Sequence, residues 1–141
     1  MGADCIFCAI VDGEIPGRIV HEDEDTLAFL DANPLADGHT LVIPKGHYER
    51  VDDLPASVAG AIGRAIAVVA PAVEDAVDAP ATTIAYNNGE EAGQEVLHVH
   101  AHVVPRFSDD GGRPIHALFS DRPDLSDAEL DGIEERITDR V

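Results

Sequence analysis

The sequence predicts an α+β domain with an antiparallel sheet, and three observations predict it. Five short runs rich in β-branched and apolar residues are bounded by turn residues. One alanine-rich stretch carries apolar residues at helical spacing. The order along the chain is strand, strand, strand, helix, strand, strand. At 141 residues the chain fits a single domain, 1–141, long enough to bury most of the apolar surface its unfolded form exposes.

Cys5 to Val11 is apolar and suits a short helix, which the turn residues Asp12-Gly13-Glu14-Ile15-Pro16-Gly17 end. Arg18 to Glu22 and Thr26 to Asp31 read as a hairpin closed by the acidic turn Glu22-Asp23-Glu24-Asp25. Asn33-Pro34 through Asp37-Gly38 is a loop, and His39 to Ile43 is a β-branched strand that Pro44 ends. Pro55 to Val77 places Val58, Ile62, Ala65, Ile66, Val69 and Val73 on one helical face, with Pro71 a candidate kink. Thr82 to Tyr86 is a strand, and the polar loop Asn87 to Gln94 leads into a last strand around Leu97 to Arg106. Ser126-Asp127-Ala128-Glu129 has capping-box spacing and opens a helix to about Arg140.

Charge narrows the partners. There are 28 Asp and Glu against 9 Lys and Arg, a net charge of −19, and Lys45 is the sole lysine. Such a field repels nucleic-acid backbones and anionic membrane surfaces, so neither is expected as a partner. With 45% hydrophobic residues in ordered blocks, the acidity reads as the surface of a folded protein rather than as disorder. Lysine scarcity beside abundant aspartate fits a halophilic, salt-rich cytoplasm, where screening shortens self-repulsion to a few ångströms. No secretory pattern opens the chain and no long charge-free apolar segment interrupts it, so a soluble cytoplasmic protein is expected.

Function concentrates in Leu97-His98-Val99-His100-Ala101-His102-Val103-Val104-Pro105-Arg106. Alternate strand residues share a face, so three imidazoles line one side. Buried imidazoles need hydrogen-bond partners that apolar residues would not, which favours a functional reading. One metal ion cannot readily take all three. His98 and His102 would be roughly 13 Å apart along a strand, whereas zinc ligands sit about 2 Å from the ion. Two neighbours could still share one. The other chemistry is nucleophilic attack by the central imidazole on phosphorus or an acyl carbon, with its neighbours holding it or handling protons. Gly93-Gln94 and the Asn87-Asn88-Gly89 turn offer backbone and amide donors suited to phosphate. Cys5 and Cys8, the only cysteines, have the Cys-x-x-Cys spacing of a redox pair or of half a zinc site.

Taken with Leu27-Ala28-Phe29-Leu30-Asp31, Gly38-His39-Thr40-Leu41-Val42-Ile43-Pro44-Lys45 and Asn88-Gly89 with Gly93-Gln94, the His-x-His-x-His run resembles the histidine triad (HIT) superfamily of nucleotide hydrolases and transferases. The resemblance covers a core of about 5–106 and leaves 107–141 as an extension. It implies a five-stranded antiparallel sheet, a homodimer across which the sheet extends, and no metal in the chemistry. His100 would be the nucleophile that takes the nucleoside monophosphate group, with His98, His102 and His39 completing the catalytic set. Asp31 would bind the ribose hydroxyls, and Ile6, Phe7, Ile10, Phe29 and Leu41 would wall the base pocket. Asn87 and Gln94 would contact phosphate or leaving group. Cys5-Ile6-Phe7-Cys8 and His47 resemble bacterial-type members that hold a structural zinc, which implies the ligand set Cys5, Cys8, His47 and His98. One departure stands out. Glu95 occupies a position where the family commonly has Ser or Thr against the α-phosphate, and a carboxylate there repels phosphate.

The expected function is hydrolysis of a purine nucleotide conjugate, a phosphoramidate or a dinucleoside polyphosphate, through a nucleotidyl-histidine to a nucleoside monophosphate. A nucleotide-binding protein with weak turnover that acts through partners is the alternative. A metal-binding redox module is a third reading.

Overall fold

The computed structural model describes residues 4–141. They divide into two compact units at Asp110/Gly111, and the first carries the sheet.

That sheet has five antiparallel strands, β1 (Ile19–Glu22), β2 (Thr26–Leu30), β3 (Thr40–Pro44), β4 (Ala81–Tyr86) and β5 (Ala101–Arg106), in the order β1-β2-β3-β5-β4. The long helix α2 (Ala56–Val77) lies on one face and the short helix α1 (Ile6–Val11) on the other. Strand alternation builds this sandwich. Ala28 and Val42 pair across β2 and β3 and join Ala101 and Val103 of β5 in a cluster with Ile62, Ala65, Val69 and Val73 of α2. Leu27, Phe29, Leu41 and Ile43 point the other way and pack with Phe7 of α1. Burying a side chain such as Ile62 or Ile43 stabilises by about 1.5–3 kcal/mol, and both are fully buried.

Six residues are too few for a stable isolated helix, so α1 depends on its tertiary anchors. Cys5 is its N-cap and accepts the Cys8 N–H on Sγ at 3.4 Å, while Phe7 is buried. Helix α2 runs continuously through Pro71, which lies on its exposed side. It is apolar and long enough by composition to cross a membrane, yet its apolar stripe covers the sheet.

The loop from Asp31 to His39 makes a close crossing. Gly38 has φ +89°, and a Cβ there would meet Val77 Cγ1 at 3.1 Å. Glycine satisfies both demands at once. In the second unit, Gly111–Val141, the capping box forms as its spacing predicts. Ser126 Oγ accepts the Glu129 N–H at 3.2 Å and opens α3 (Asp127–Thr138).

Two of the boundaries that differ from the sequence-based expectation bear on the site. Pro44 is the last paired residue of β3, opposite Thr26, rather than its stop. The last strand starts at Ala101, so His98 and His100 precede it. Upstream of Ala101 the backbone pairs elsewhere, with Val99 N–H donating to Tyr48 O at 2.7 Å.

Candidate functional site

Despite the late start of β5, the alternation holds through the histidine run. Val99, Ala101 and Val103 belong to the α2-side core, whereas His98 and His100 meet the edge of Phe7 on the α1 side, at ring-centroid distances of 5.9 and 5.1 Å. His100 and His102 are neighbours at 5.0 Å. His39, just before β3, lies 2.9 Å from His102 between Nε2 and Nδ1. The structure thus brings His39, His98, His100 and His102 together.

Backbone groups decide the proton position on each ring, because a carbonyl only accepts and an amide N–H only donates. His100 Nδ1 faces His98 O at 2.8 Å and so carries the hydrogen, which leaves Nε2 with the lone pair when the ring is neutral. Leu35 N–H donates to His39 Nδ1 at 3.0 Å. Neutral His39 therefore carries its hydrogen on Nε2 and donates it to His102 Nδ1, so His102 presents Nε2–H. His98 Nε2 faces Pro44 O at 2.8 Å, which frees its Nδ1. One imidazole offers a lone pair, its neighbour offers a hydrogen, and the third turns its lone pair elsewhere.

Burial disfavours the charged form of three of these rings. It pushes His39 and His98 below the usual histidine range, and it carries His102, with help from the adjacent His100 and His39, down to about 4. Asp31, with Oδ2 at 3.6 Å from His39 Nε2, pulls weakly the other way. An unfolded histidine takes its proton near pH 6.5, so between about 6.5 and 4 the unfolded chain binds more protons at His102 than the fold does, and the lowered His39 acts in the same direction. Stability is therefore present above pH 6.5 and lost as the pH falls through that window. A His102→Gln variant is expected to flatten the fall in Tm between pH 6.5 and 4.5, as read by thermal melts.

The free Nδ1 of His98 points into a second cluster. It lies 3.4 Å from Cys5 Sγ, 3.5 Å from Cys8 Sγ and 3.3 Å from His47 Nδ1, and Cys8 Sγ is 3.3 Å from that same His47 nitrogen. Ligands about 2.0–2.3 Å from a tetrahedral zinc stand about 3.3–3.8 Å apart, so the donor spacing and the Cys2His2 chemistry fit zinc. Without a cation, burial and the adjacent Cys5 push the Cys8 thiol up to about 11. Asp31, His39 and His102 also converge. The two histidine nitrogens already share a hydrogen, and Asp31 Oδ2 lies 3.6 Å from His39 Nε2, so in this arrangement the histidine nitrogens bond each other rather than a metal.

The loop before the histidines is tied to the segment after β3. Gln94 is buried and its amide is fully used. Oε1 accepts Gly89 N–H at 2.8 Å, while Nε2 donates to Glu49 O at 2.6 Å and Val96 O at 3.1 Å. The expected phosphate contact from Gln94 has no side-chain donor left to make it, and the residue acts as a loop clamp. Sequence reasoning missed its companions. Asn88 accepts Val51 N–H at 2.9 Å and donates to Asp52 at 3.3 Å, and the Arg50 guanidinium covers Gly89, whose φ is +99°. Asn87 and Glu95 are exposed.

Phe7, Phe29 and Leu41 form a buried apolar wall that Ile10 and Val96 extend, while Ile6 is half exposed beside it. Asp31, at the end of β2, is partly exposed and accepts Asn33 N–H at 2.9 Å. The apolar wall, the acceptor and the histidines share the α1 side of the sheet.

The comparisons with known proteins agree with this arrangement. Residues 12–109 match the HIT domain family. A crystal structure of a HIT-family protein from Bacillus subtilis superimposes with a TM-score of 0.89 at 38% identity, covering 98% of this chain and 97% of that one. A zinc-bound histidine triad family protein from Mycobacterium smegmatis gives 0.74 at 34% identity, covering 96% and 99%. The adenylylsulfatase HINT3 of Arabidopsis thaliana is 40% identical over 103 residues, which is 73% of this chain and 52% of that protein. By fold, by motif and by sequence, the chain belongs to the HIT family.

Proposed function

We propose that the protein hydrolyses purine nucleotide conjugates at the α-phosphorus through a nucleotidyl-histidine. The observation that carries this reading is the hydrogen bond from His100 Nδ1–H to His98 O, which in a neutral ring leaves the lone pair on Nε2, next to a His102 ring whose Nε2 carries the hydrogen. His100 Nε2 attacks phosphorus, the bond to the leaving group breaks, and the leaving group departs with its electron pair. Water then cleaves the P–N bond, releasing the nucleoside monophosphate and restoring the neutral imidazole. His102 donates a hydrogen bond to a phosphoryl oxygen, and His39 holds it in that tautomer. Asp31 takes the ribose hydroxyls, the wall of Phe7, Phe29 and Leu41 with Ile6 and Ile10 takes the base, and Asn87 reaches the phosphate or leaving group from the clamped loop. The name adenylylsulfatase on the Arabidopsis relative supports a nucleotide conjugate as substrate.

Zinc on Cys5, Cys8, His47 and His98 supplies a closed structural cross-link when bound. These residues fix α1 and His98 around the pocket and take no part in bond cleavage.

A panel of adenosine and guanosine conjugates with amine, phosphate and sulfate leaving groups tests the reading in high salt. Burst release of the leaving group and a phosphoramidate-linked adduct on His100 are expected. Tight nucleotide binding without release from any conjugate would instead establish a binding protein that acts through partners. With the same panel repeated at low salt, Glu95→Ser is expected to raise kcat/KM roughly tenfold, because removing a carboxylate near an anionic substrate is worth about 1.4 kcal/mol. Salt should shrink that gain.

The reading includes a homodimer. β4 is an edge strand with Ile84 and Tyr86 exposed, and α2 turns Val68 outward. Unpaired strand edges and apolar helix flanks of this kind are covered by a partner in stable assemblies. Ile84→Glu is expected to convert the dimer to monomer in light scattering coupled to gel filtration.

A further inference from the structure

We propose that Cys5 and Cys8 form an oxidative modification site, in which conversion of the pair to a disulfide expels the metal and disarms His100. The inference rests on the zinc ligation and on the nucleophile assigned above. Both cysteines are residues of intermediate burial rather than core residues, which leaves the pair within reach of a small oxidant. They sit at the N-cap and third position of one helical turn, with their donor atoms within 4.8 Å of each other and of both histidine nitrogens. That span is open enough for metal ligation, and a modest adjustment of a six-residue helix closes it to a bond of about 2.05 Å.

The chemical class of oxidant is a hydroperoxide. One thiolate attacks the peroxide oxygen, the O–O bond breaks, and a sulfenic acid forms as water leaves after protonation. The second thiolate attacks that sulfur, the S–S bond forms, and the hydroxide leaves as a second water. Two thiolates, one hydroperoxide and two protons give one disulfide, water and the corresponding alcohol or a second water, and the two electrons lost by sulfur reduce the peroxide. A disulfide has no thiolate for zinc, so two of the four ligands vanish together.

Two connections carry the event to the nucleophile. Phe7 lies between the two cysteines on α1, and its ring meets His100 edge-on at 5.1 Å and Phe29 at 5.4 Å. His98, held on one side by Pro44 O and on the other by the cluster, supplies the carbonyl that orients His100 Nδ1–H. Releasing the metal and distorting α1 disturbs the base wall and the nucleophile's tautomer anchor together.

The test treats zinc-loaded full-length protein with one equivalent of hydrogen peroxide. It reads zinc release with a chromogenic chelator, free thiols by differential alkylation and mass, and adenosine monophosphate affinity by calorimetry. Loss of both thiols with a 5–8 disulfide in the peptide map, release of the zinc, and at least about tenfold weaker nucleotide binding are expected. Reductant plus zinc should reverse all three. The same zinc-loaded protein carried through the treatment with catalase present should keep both thiols, its zinc and its nucleotide affinity. Thiols that stay titratable with zinc bound would overturn the proposal, and so would a disulfide that leaves nucleotide affinity unchanged. Absence of hydrolysis in the conjugate panel would defeat the functional reading alone, because zinc, thiol and affinity readouts do not depend on turnover.

Discussion

His100→Ala is expected to lower the proposed hydrolysis of nucleotide conjugates by about four to six orders of magnitude, the scale on which removal of an enzymic nucleophile acts. In the proposed mechanism the ring fills one role in two steps, as attacking atom and as leaving group, and no neighbouring histidine is arranged to take it over. His98 spends Nε2–H on Pro44 O and turns Nδ1 toward the cysteines, while His102 presents a hydrogen rather than a lone pair. Single-turnover assays should show no nucleotidyl adduct. Nucleotide affinity should stay within about threefold by calorimetry, because the apolar wall and Asp31 are untouched. Adduct formation at near-normal rate in the variant would move the nucleophile elsewhere.

Removal of zinc is expected to lower Tm by about 8–16 °C. A ligand present at about a thousand times its Kd stabilises by about 4 kcal/mol, and each kcal/mol is worth about 2–4 °C in a chain of roughly this size. The loss should be larger here than for a surface ion because the ligands join three distant segments, α1, the turn after β3 and the histidine run. Chelation followed by calorimetric melting reads it, and Cys8→Ala should reproduce the effect without chelator. The sheet has its own α2-side core, so the metal-free protein should still melt cooperatively. A Tm unchanged by exhaustive chelation would remove zinc from the structure of this protein.

The fold was largely legible because its periodicities are clean. Strict alternation from Val99 to Val103 placed the histidines on one face, and the alanine-rich run at helical spacing located α2. The start of the last strand was not legible, because Val99 pairs with Tyr48, a residue 51 positions earlier whose backbone no local pattern reveals. The sequence marked Gln94 as a candidate contact for phosphate or leaving group, while in the fold its amide bonds Gly89, Glu49 and Val96. Its role as a clamp depends on Glu49 and Gly89, which only folding brings within reach.

The sequence by itself determined the layers of the domain, the shared face of the triad and the inventory of reactive groups, because these follow from local spacing and residue chemistry. Tertiary structure alone decided the division of labour among the histidines. Leu35 N–H, Pro44 O and His98 O each impose a tautomer on a ring, and a tautomer is set by the partner across a hydrogen bond rather than by the identity of the side chain.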